Sequence, residues 1–447
     1  MFSNYLKVLP AALACGYASV AFSQPLSLEA LNERLERLES HTATYDDVNG
    51  IQQSLESYKW EQQRQYELRT VQTSRPLQVY GAVQTRLYWS DTDTTSGSVY
   101  KRDSSSDVSF TLLGISGNLY RDYEEGRNLN FRLSYGASPQ AGAPNLSVLD
   151  AILTYELLPT LDREKGRLNI SLGQRVLPFG LEVSASEELK PVIRGAQFST
   201  GLGLTQRQTG VYLSGDAFPF VDHGFAYRAP LLAWDIGIIN GTGTNKTDDN
   251  GKKDLVGRLQ FIAPVDNYTS LWRELKIGVS GYKGSNNLSG TNGVYGYGDF
   301  SRYGLDFSYN HNPIGLTIEY VKGKDERVTD SVNNTSQEFD TESTVVTLFF
   351  NKGQQFVRSF RGQAKYDDWW PKTYQPFIRW DNYKSESYNS NTQQKEQSTR
   401  TVSTLGFNYF FAQSSKVQLN LNHVNDDSKP ANKRTSNEVL AQIQFGF

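Results

Sequence analysis

The sequence has little of what soluble enzyme chemistry is built from. Its 447 residues include one Cys, one Met and four His. The lone Cys15 falls within the first two dozen residues, so the chain beyond them has no disulfide framework and no thiol chemistry. His41, His223, His311 and His423 are scattered, and none has metal-ligand spacing. There is no G-x-S-x-G elbow, no HExxH and no glycine-rich phosphate loop. Neighbouring carboxylates such as Glu187-Glu188, Asp367-Asp368 and Asp426-Asp427 point to opposite faces of a strand and make poor acid–base dyads. No enzyme activity, metal or cofactor is therefore expected. An excess of one charge is also missing: 45 basic against 48 acidic residues gives a net charge of -3, which argues against a nucleic-acid partner. Beyond residue 24 no run approaches the roughly 18 apolar residues of a membrane-spanning helix.

What is abundant is aromatic and small: 26 Tyr, 23 Phe and 37 Gly. Mean hydropathy is nevertheless only -0.54. Strands that face lipid on one side and water on the other average to such a value. From Leu77 onward the apolar period is two. Leu77, Val79, Val83, Leu87 and Trp89 alternate with Gln78, Tyr80, Gln84, Arg86 and Tyr88. Similar runs occur at 129–135, 168–172, 302–309, 405–411 and 417–422. The chain closes on Val439, Ala441, Ile443, Phe445 and Phe447 at every second position. An edge strand of a soluble sandwich can also alternate in this way. A terminal strand ending on Phe, with Phe445 and Phe447 on one face, resembles the assembly signal of bacterial outer-membrane barrels.

Strand starts are predicted near residues 77, 107, 128, 147, 167, 207, 230, 254, 274, 302, 314, 343, 374, 401, 416 and 437. The expected fold is all-β: a transmembrane antiparallel barrel of about 16 strands over residues 76–447. An ambiguous hairpin between 343 and 370 leaves 14 to 18 open. Short turns at 122–127, 310–313 and 412–415 alternate with long polar connections at 90–107, 241–254, 284–301, 322–342, 384–400 and 425–436. Aromatics cluster near strand ends, at Tyr88-Trp89, Trp369-Trp370 and Tyr409 to Phe411, as at a membrane interface.

Residues 1–23 read as a secretory signal. Lys7 is followed by an apolar stretch and by Ala21-Phe22-Ser23 as a small-x-small cleavage site. Ala12-Leu13-Ala14-Cys15 faintly resembles a lipoprotein box, with the Leu displaced by one. Residues 24–75 differ from everything after them. Leu28, Leu31, Leu35 and Leu38 form a heptad-like seam, and a second helical stretch runs from Ile51 to Val71. The expectation is a short α-helical coiled coil on the periplasmic side; a single amphipathic helix fits the same pattern.

Gly173-Gln174-Arg175-Val176-Leu177-Pro178-Phe179-Gly180-Leu181-Glu182 follows the fifth predicted strand. This run resembles a strand and loop of the phosphate-selective porin O/P family. Arg207 to Asp216 and Gln375-Pro376-Phe377-Ile378-Arg379-Trp380-Asp381 resemble further strands of it. The resemblance spans about residues 28–447 and marks Pro178, Phe179, Gly180 and Glu182 as motif positions. It implies a trimeric outer-membrane porin of a Gram-negative bacterium, passing small hydrophilic solutes by passive diffusion. A loop at about 176–205 would fold into the pore, and inward cations would draw phosphate or other anions through. On that premise Arg175, Lys190 and Arg194 are candidate anion contacts at the constriction, with Glu187 and Glu188 as counter-charges. Arg86, Arg132, Arg258 and Arg379 would line the wall. Asp150, Glu156, Asp306, Glu319, Asp381 and Glu438 share the inward face, so each Arg is equally readable as a brace of the wall. The implied partners are outer-membrane lipids and lipopolysaccharide, the barrel-assembly machinery, two further copies of the chain, and small anions. A sugar-specific porin would instead need an aromatic track, to which Tyr80, Tyr88 and Trp380 could contribute. A general diffusion porin, a plugged structural barrel or a barrel with an enzymatic rim also stay open.

Overall fold

The computed structural model describes residues 77–447 except 92–103, 123, 141–142, 223–226, 266–269, 292, 312, 354–372, 391 and 412–414. Of residues 1–76 it describes only Asn32, Glu33 and Glu36, which are helical. The secretory signal and the seam leucines Leu28, Leu31, Leu35 and Leu38 lie outside the described residues, as does the second half of the ambiguous 343–370 region.

Sixteen antiparallel strands close into one barrel. They are β1 (Leu77–Ser90), β2 (Ser104–Arg121), β3 (Asn128–Gln140), β4 (Ala143–Glu156), β5 (Leu168–Arg175), β6 (Gln208–Asp222), β7 (Tyr227–Ile239) and β8 (Asp254–Ile262). Then come β9 (Leu275–Gly290), β10 (Gly293–His311), β11 (Ile314–Asp330) and β12 (Thr335–Phe350), the last continued past Asn351 by Lys352–Gly353. The set ends with β13 (Thr373–Asn389), β14 (Gln394–Phe410), β15 (Lys416–Asp426) and β16 (Thr435–Gly446). Each strand pairs with its sequence neighbour, and β12 pairs directly with β13, so the ring is complete without a further hairpin. β1 and β16 close it, from Ala82 opposite Gly446 to Ser90 opposite Glu438. Phe447 extends the seam, exchanging two 2.9 Å backbone hydrogen bonds with Gly81. Closure leaves no sheet edge, the condition for a sheet to cross lipid.

The period-two pattern sorts the side chains as the sequence predicts. Val83, Leu87, Trp89, Leu172, Leu305, Leu405, Ile443, Phe445 and Phe447 are exposed on the outer surface. On β10, Tyr303 is 64% exposed while the adjacent Arg302 is 4% exposed. An apolar exterior around a buried polar interior inverts a soluble protein and suits lipid outside with water within. No helix among the described residues is long and apolar enough to cross a membrane.

One finding differs from the sequence reading. Connections 284–301, 322–342 and 384–400 are mostly continuous β-hairpin, not loop. β10, β12 and β14 begin at 293, 335 and 394, seven to nine residues before the predicted starts of 302, 343 and 401. These extensions are rich in Gly, Ser, Thr, Gln and charged residues and carry only scattered apolar side chains such as Val294, Phe300 and Phe339, so hydrophobic alternation is too weak to mark them, whereas the backbone ladder needs no apolar side chain. β10 has 19 residues, well beyond the 9–11 that span a bilayer, so this part of the barrel stands clear of the membrane.

Candidate functional site

The connection from Val176 to Arg207 folds into the barrel. Its start is built by Pro178-Phe179-Gly180-Leu181-Glu182. Phe179 is fully buried, and with Leu177, Val183, Phe198, Leu202 and Leu204 it forms the main hydrophobic core of the molecule. Its partners are inward residues of consecutive strands: Tyr212, Ile239, Val256, Tyr282, Phe300, Val321 and Val345. Each such buried side chain contributes about 1.5–3 kcal/mol, set against the entropy of ordering the loop. Gly180 adopts φ +56, and a Cβ there would lie 1.7 Å from Glu319 Oε1. Only glycine fits this turn. The turn aims three backbone N–H groups at the wall: Gly180 donates to Ser280 Oγ at 3.0 Å, and Leu181 and Glu182 donate to the two Glu319 oxygens at 3.0 and 3.1 Å.

Glu182 points back across the loop. Its Oε1 accepts from the Ala196 N–H at 3.0 Å and its Oε2 from Arg379 at 3.4 Å. Burial pushes this carboxyl up, but the charges of Arg379 and Lys190 and the Ala196 hydrogen bond outweigh it and hold it below the ordinary glutamate value. The loop then reaches β14 to β16. Asn408 and Gln418 donate to the Pro191 carbonyl at 2.8 and 2.9 Å, Lys416 donates to the Lys190 carbonyl, and Gln444 donates to the Glu188 carbonyl at 2.8 Å. Burial raises the Glu188 carboxyl above its ordinary value. A short helix α1 (Gln197–Gly201) returns the chain towards β6, with the Gln197 N–H bound to Asp381 at 3.0 Å.

Between residues 192–201 of the loop and the wall of β1 and β13 to β15 lies a cavity of about 570 Å³. Its lining carries four guanidiniums, Arg86, Arg194, Arg379 and Arg400, against one carboxylate, Asp381. Each Arg is partly committed. Arg86 meets Asp107 at 2.8 Å, Arg194 meets Glu438 at 2.8 Å, and Arg400 lies 3.7 Å from Asp426. Arg379 lies 3.4 Å from Glu182 and 3.7 Å from Asp381. Only 4% of its side chain is exposed, and its Nη2 has no hydrogen-bond partner among the described residues. Among the described residues Asp381 Oδ1 and Arg86 Nε of the same lining are likewise without a hydrogen-bond partner, so the cavity wall keeps unspent donors and one unspent acceptor.

The sequence candidates therefore separate. Arg86, Arg194 and Arg379 come together at the cavity. Arg132 projects into the lumen and is exposed there. Arg175 pairs with Asp235 of β7, its guanidinium 4.7 Å from the Tyr212 ring centre, and is not among the cavity lining. Arg258 is buried against Asp306 at 2.8 Å behind the loop. Lys190 is buried and bound to Glu187 at 2.6 Å. Glu187 and Glu188 lie on the loop's turn beside Lys190 rather than in the cavity wall. Of the possible sugar-track aromatics, Trp380 faces outward and is exposed on the lipid side. The cavity also contains Arg400, which stands at the end of the polar connection 384–400 in the sequence and within β14 in the structure. Extending the inward row of Asn408, Gly406, Thr404 and Val402 by two residues would have found it. Among the described residues no group of His, Cys, Asp and Glu could hold a metal ion.

Comparison with known proteins agrees with this architecture. A family model described as phosphate-selective porin O and P matches residues 82–447. No curated protein matches. An anion-selective porin from Comamonas acidovorans superposes with a TM-score of 0.51 at 13% identity, covering 83% of this chain and 99% of that one. The outer membrane channel DcaP of Acinetobacter baumannii gives 0.49 at 11% identity, covering 83% and 97%. The trimer form of OmpT from Vibrio cholerae gives 0.48 at 12% identity, covering 83% and 99%. The first of these likenesses shows the porin barrel fold.

Proposed function

Because the chain belongs to the phosphate-selective porin O and P family, and so is an outer-membrane diffusion channel, we propose that it passes small anions, phosphate among them, through a station formed by Arg86, Arg194, Arg379 and Arg400. The observation that carries this reading is the four-to-one excess of cations over carboxylates around the cavity. The barrel as a whole is near neutral, so selectivity has to come from local placement. A guanidinium fork replaces the hydration of an oxyanion with directed N–H donors, which lowers the cost of entering the narrow zone. Because each Arg also touches a carboxylate, the attraction is tempered, and an anion that binds can leave.

In this reading Arg132 lies along the same route. The long-hairpin rim faces outward from the cell, and the barrel ends near Leu77 and Phe447 face the periplasm. Residues 1–23 are a signal, residues 24–75 form a helical periplasmic segment, and the chain assembles as a homotrimer among outer-membrane lipids and lipopolysaccharide. Phe445 and Phe447 present the barrel-assembly signal. The heptad-like leucines support the helical segment, and the family supports the trimer.

The test is the purified mature protein in a planar bilayer across a KCl gradient. The reversal potential should show anion preference, and added phosphate should reduce the chloride current. Cation preference with a phosphate-insensitive current would defeat the reading.

A further inference from the structure

Glu319 stands on the inward face of β11, yet no cation forms a salt bridge with it among the described residues. Its two oxygens are taken instead by the backbone N–H groups of Leu181 and Glu182. Ser280, two strands away on β9, takes the third N–H of the same turn. Gly180 leaves no room for a side chain at this contact, since a Cβ would overlap Glu319 Oε1 at 1.7 Å. Loop and wall are therefore fitted to each other at one carboxylate. The next side chain along the turn is Glu182, which bridges Ala196 on the cavity rim and Arg379 in the cavity wall.

We propose that Glu319 is the positioning residue of the anion station: it latches the Gly180 turn to the wall, and through Glu182 it sets the orientation of Arg379 and the width of the passage. This rests on the reading of the cavity as an anion station. A carboxyl group suits the task because its two oxygens lie side by side and each accepts one of the two parallel N–H groups. Two parallel N–H groups converge on it without competition. A carboxamide of the same shape would present an NH₂ to one of them.

The experiment is single-channel recording of the full mature protein carrying Glu319→Gln, with Ser280→Ala as a milder lesion of the same latch. Loss of one of the two backbone hydrogen bonds should lower the ratio of latched to released loop about tenfold. The expected result is larger open-channel current fluctuations, higher mean conductance and a lower anion-to-cation permeability ratio, with heat-modifiable migration unchanged. Ser280→Ala should shift the same three quantities in the same direction by less. A purely structural role would lower thermal stability while leaving the permeability ratio untouched. Wild-type fluctuations and wild-type selectivity in both variants would overturn the latch while leaving the station intact. If the unmodified channel shows no anion preference, the station fails. The latch is then still judged by whether Glu319→Gln enlarges the fluctuations. Should Glu319→Gln not assemble, unaltered currents from Ser280→Ala would count against the proposal.

Discussion

Arg194→Ala should weaken anion preference by an amount that can be worked from the structure. Arg194 is carried by the loop, and its side chain is 41% exposed to the lumen while its partner Glu438 is 6% exposed. The guanidinium also sits 5.3 Å from the Tyr88 ring centre, which holds it beside the passage. Removing it deletes one positive charge and uncovers one carboxylate. An ion passing about 5 Å from a unit charge in a water-filled lumen feels roughly 0.8 kcal/mol, or about 0.5 kcal/mol after screening at 0.1 M salt. That is about a twofold fall in local anion occupancy and a like rise for cations, so the permeability ratio should fall about fivefold. Uncovering Glu438 adds to the effect in the same direction. Reversal potentials in a KCl gradient measure it directly, and the effect should shrink as salt rises and the Debye length shortens. Arg175→Ala, whose charge is spent on Asp235 away from the cavity, should change the ratio less. An unaltered ratio in Arg194→Ala, or a larger effect from Arg175→Ala, would refute the reasoning.

Three further outcomes follow from the geometry. Arg258→Ala leaves Asp306 buried without its cation, so it should destabilise the barrel by about 3–5 kcal/mol, lowering the temperature of heat-modification without altering ion preference. Phe198→Ala empties a fully buried site between loop and wall; a cost of about 3–5 kcal/mol should raise conductance and current noise, and unchanged recordings would show that the loop does not depend on that packing. Burial raises the Glu188 carboxyl, so its ionisation opposes folding. That penalty is absent below the unfolded glutamate value and grows as pH rises through the interval up to the folded one. Glu188→Gln should therefore unfold at a higher temperature than wild type at pH 8, and the gap should narrow at pH 4. An equal gap at both pH values would contradict this.

Much of the fold is legible in the chain because lipid and water impose opposite demands on alternate residues. Leu305 next to Asp306, or Ile378 next to Arg379, can be assigned to faces by parity alone. The Pro178 to Glu182 run is legible for a different reason, since a proline, a glycine and a large aromatic in sequence mark a turn that must pack. The hairpin extensions are not legible in the same way, because Gly and polar residues outnumber apolar ones there and Phe300 and Phe339 stand without an alternating row around them. Arg400 falls in one of them.

By itself, then, the sequence determined the barrel, its strand number to within 14 to 18, and the inward face of most strands. It did not determine what the side chains on that face do. Charge partners here are set by the loop crossing the lumen: Arg194 finds Glu438 244 positions away, Arg379 finds Glu182 197 away, and the Leu181 N–H finds Glu319 138 away. Net charge and parity are the same whether these groups are paired or free. Only the tertiary structure decides that Arg258 and Lys190 are held behind or within the loop while Arg194 and Arg379 face the cavity. Electrostatic work depends on distance and burial, and neither is a property of sequence spacing.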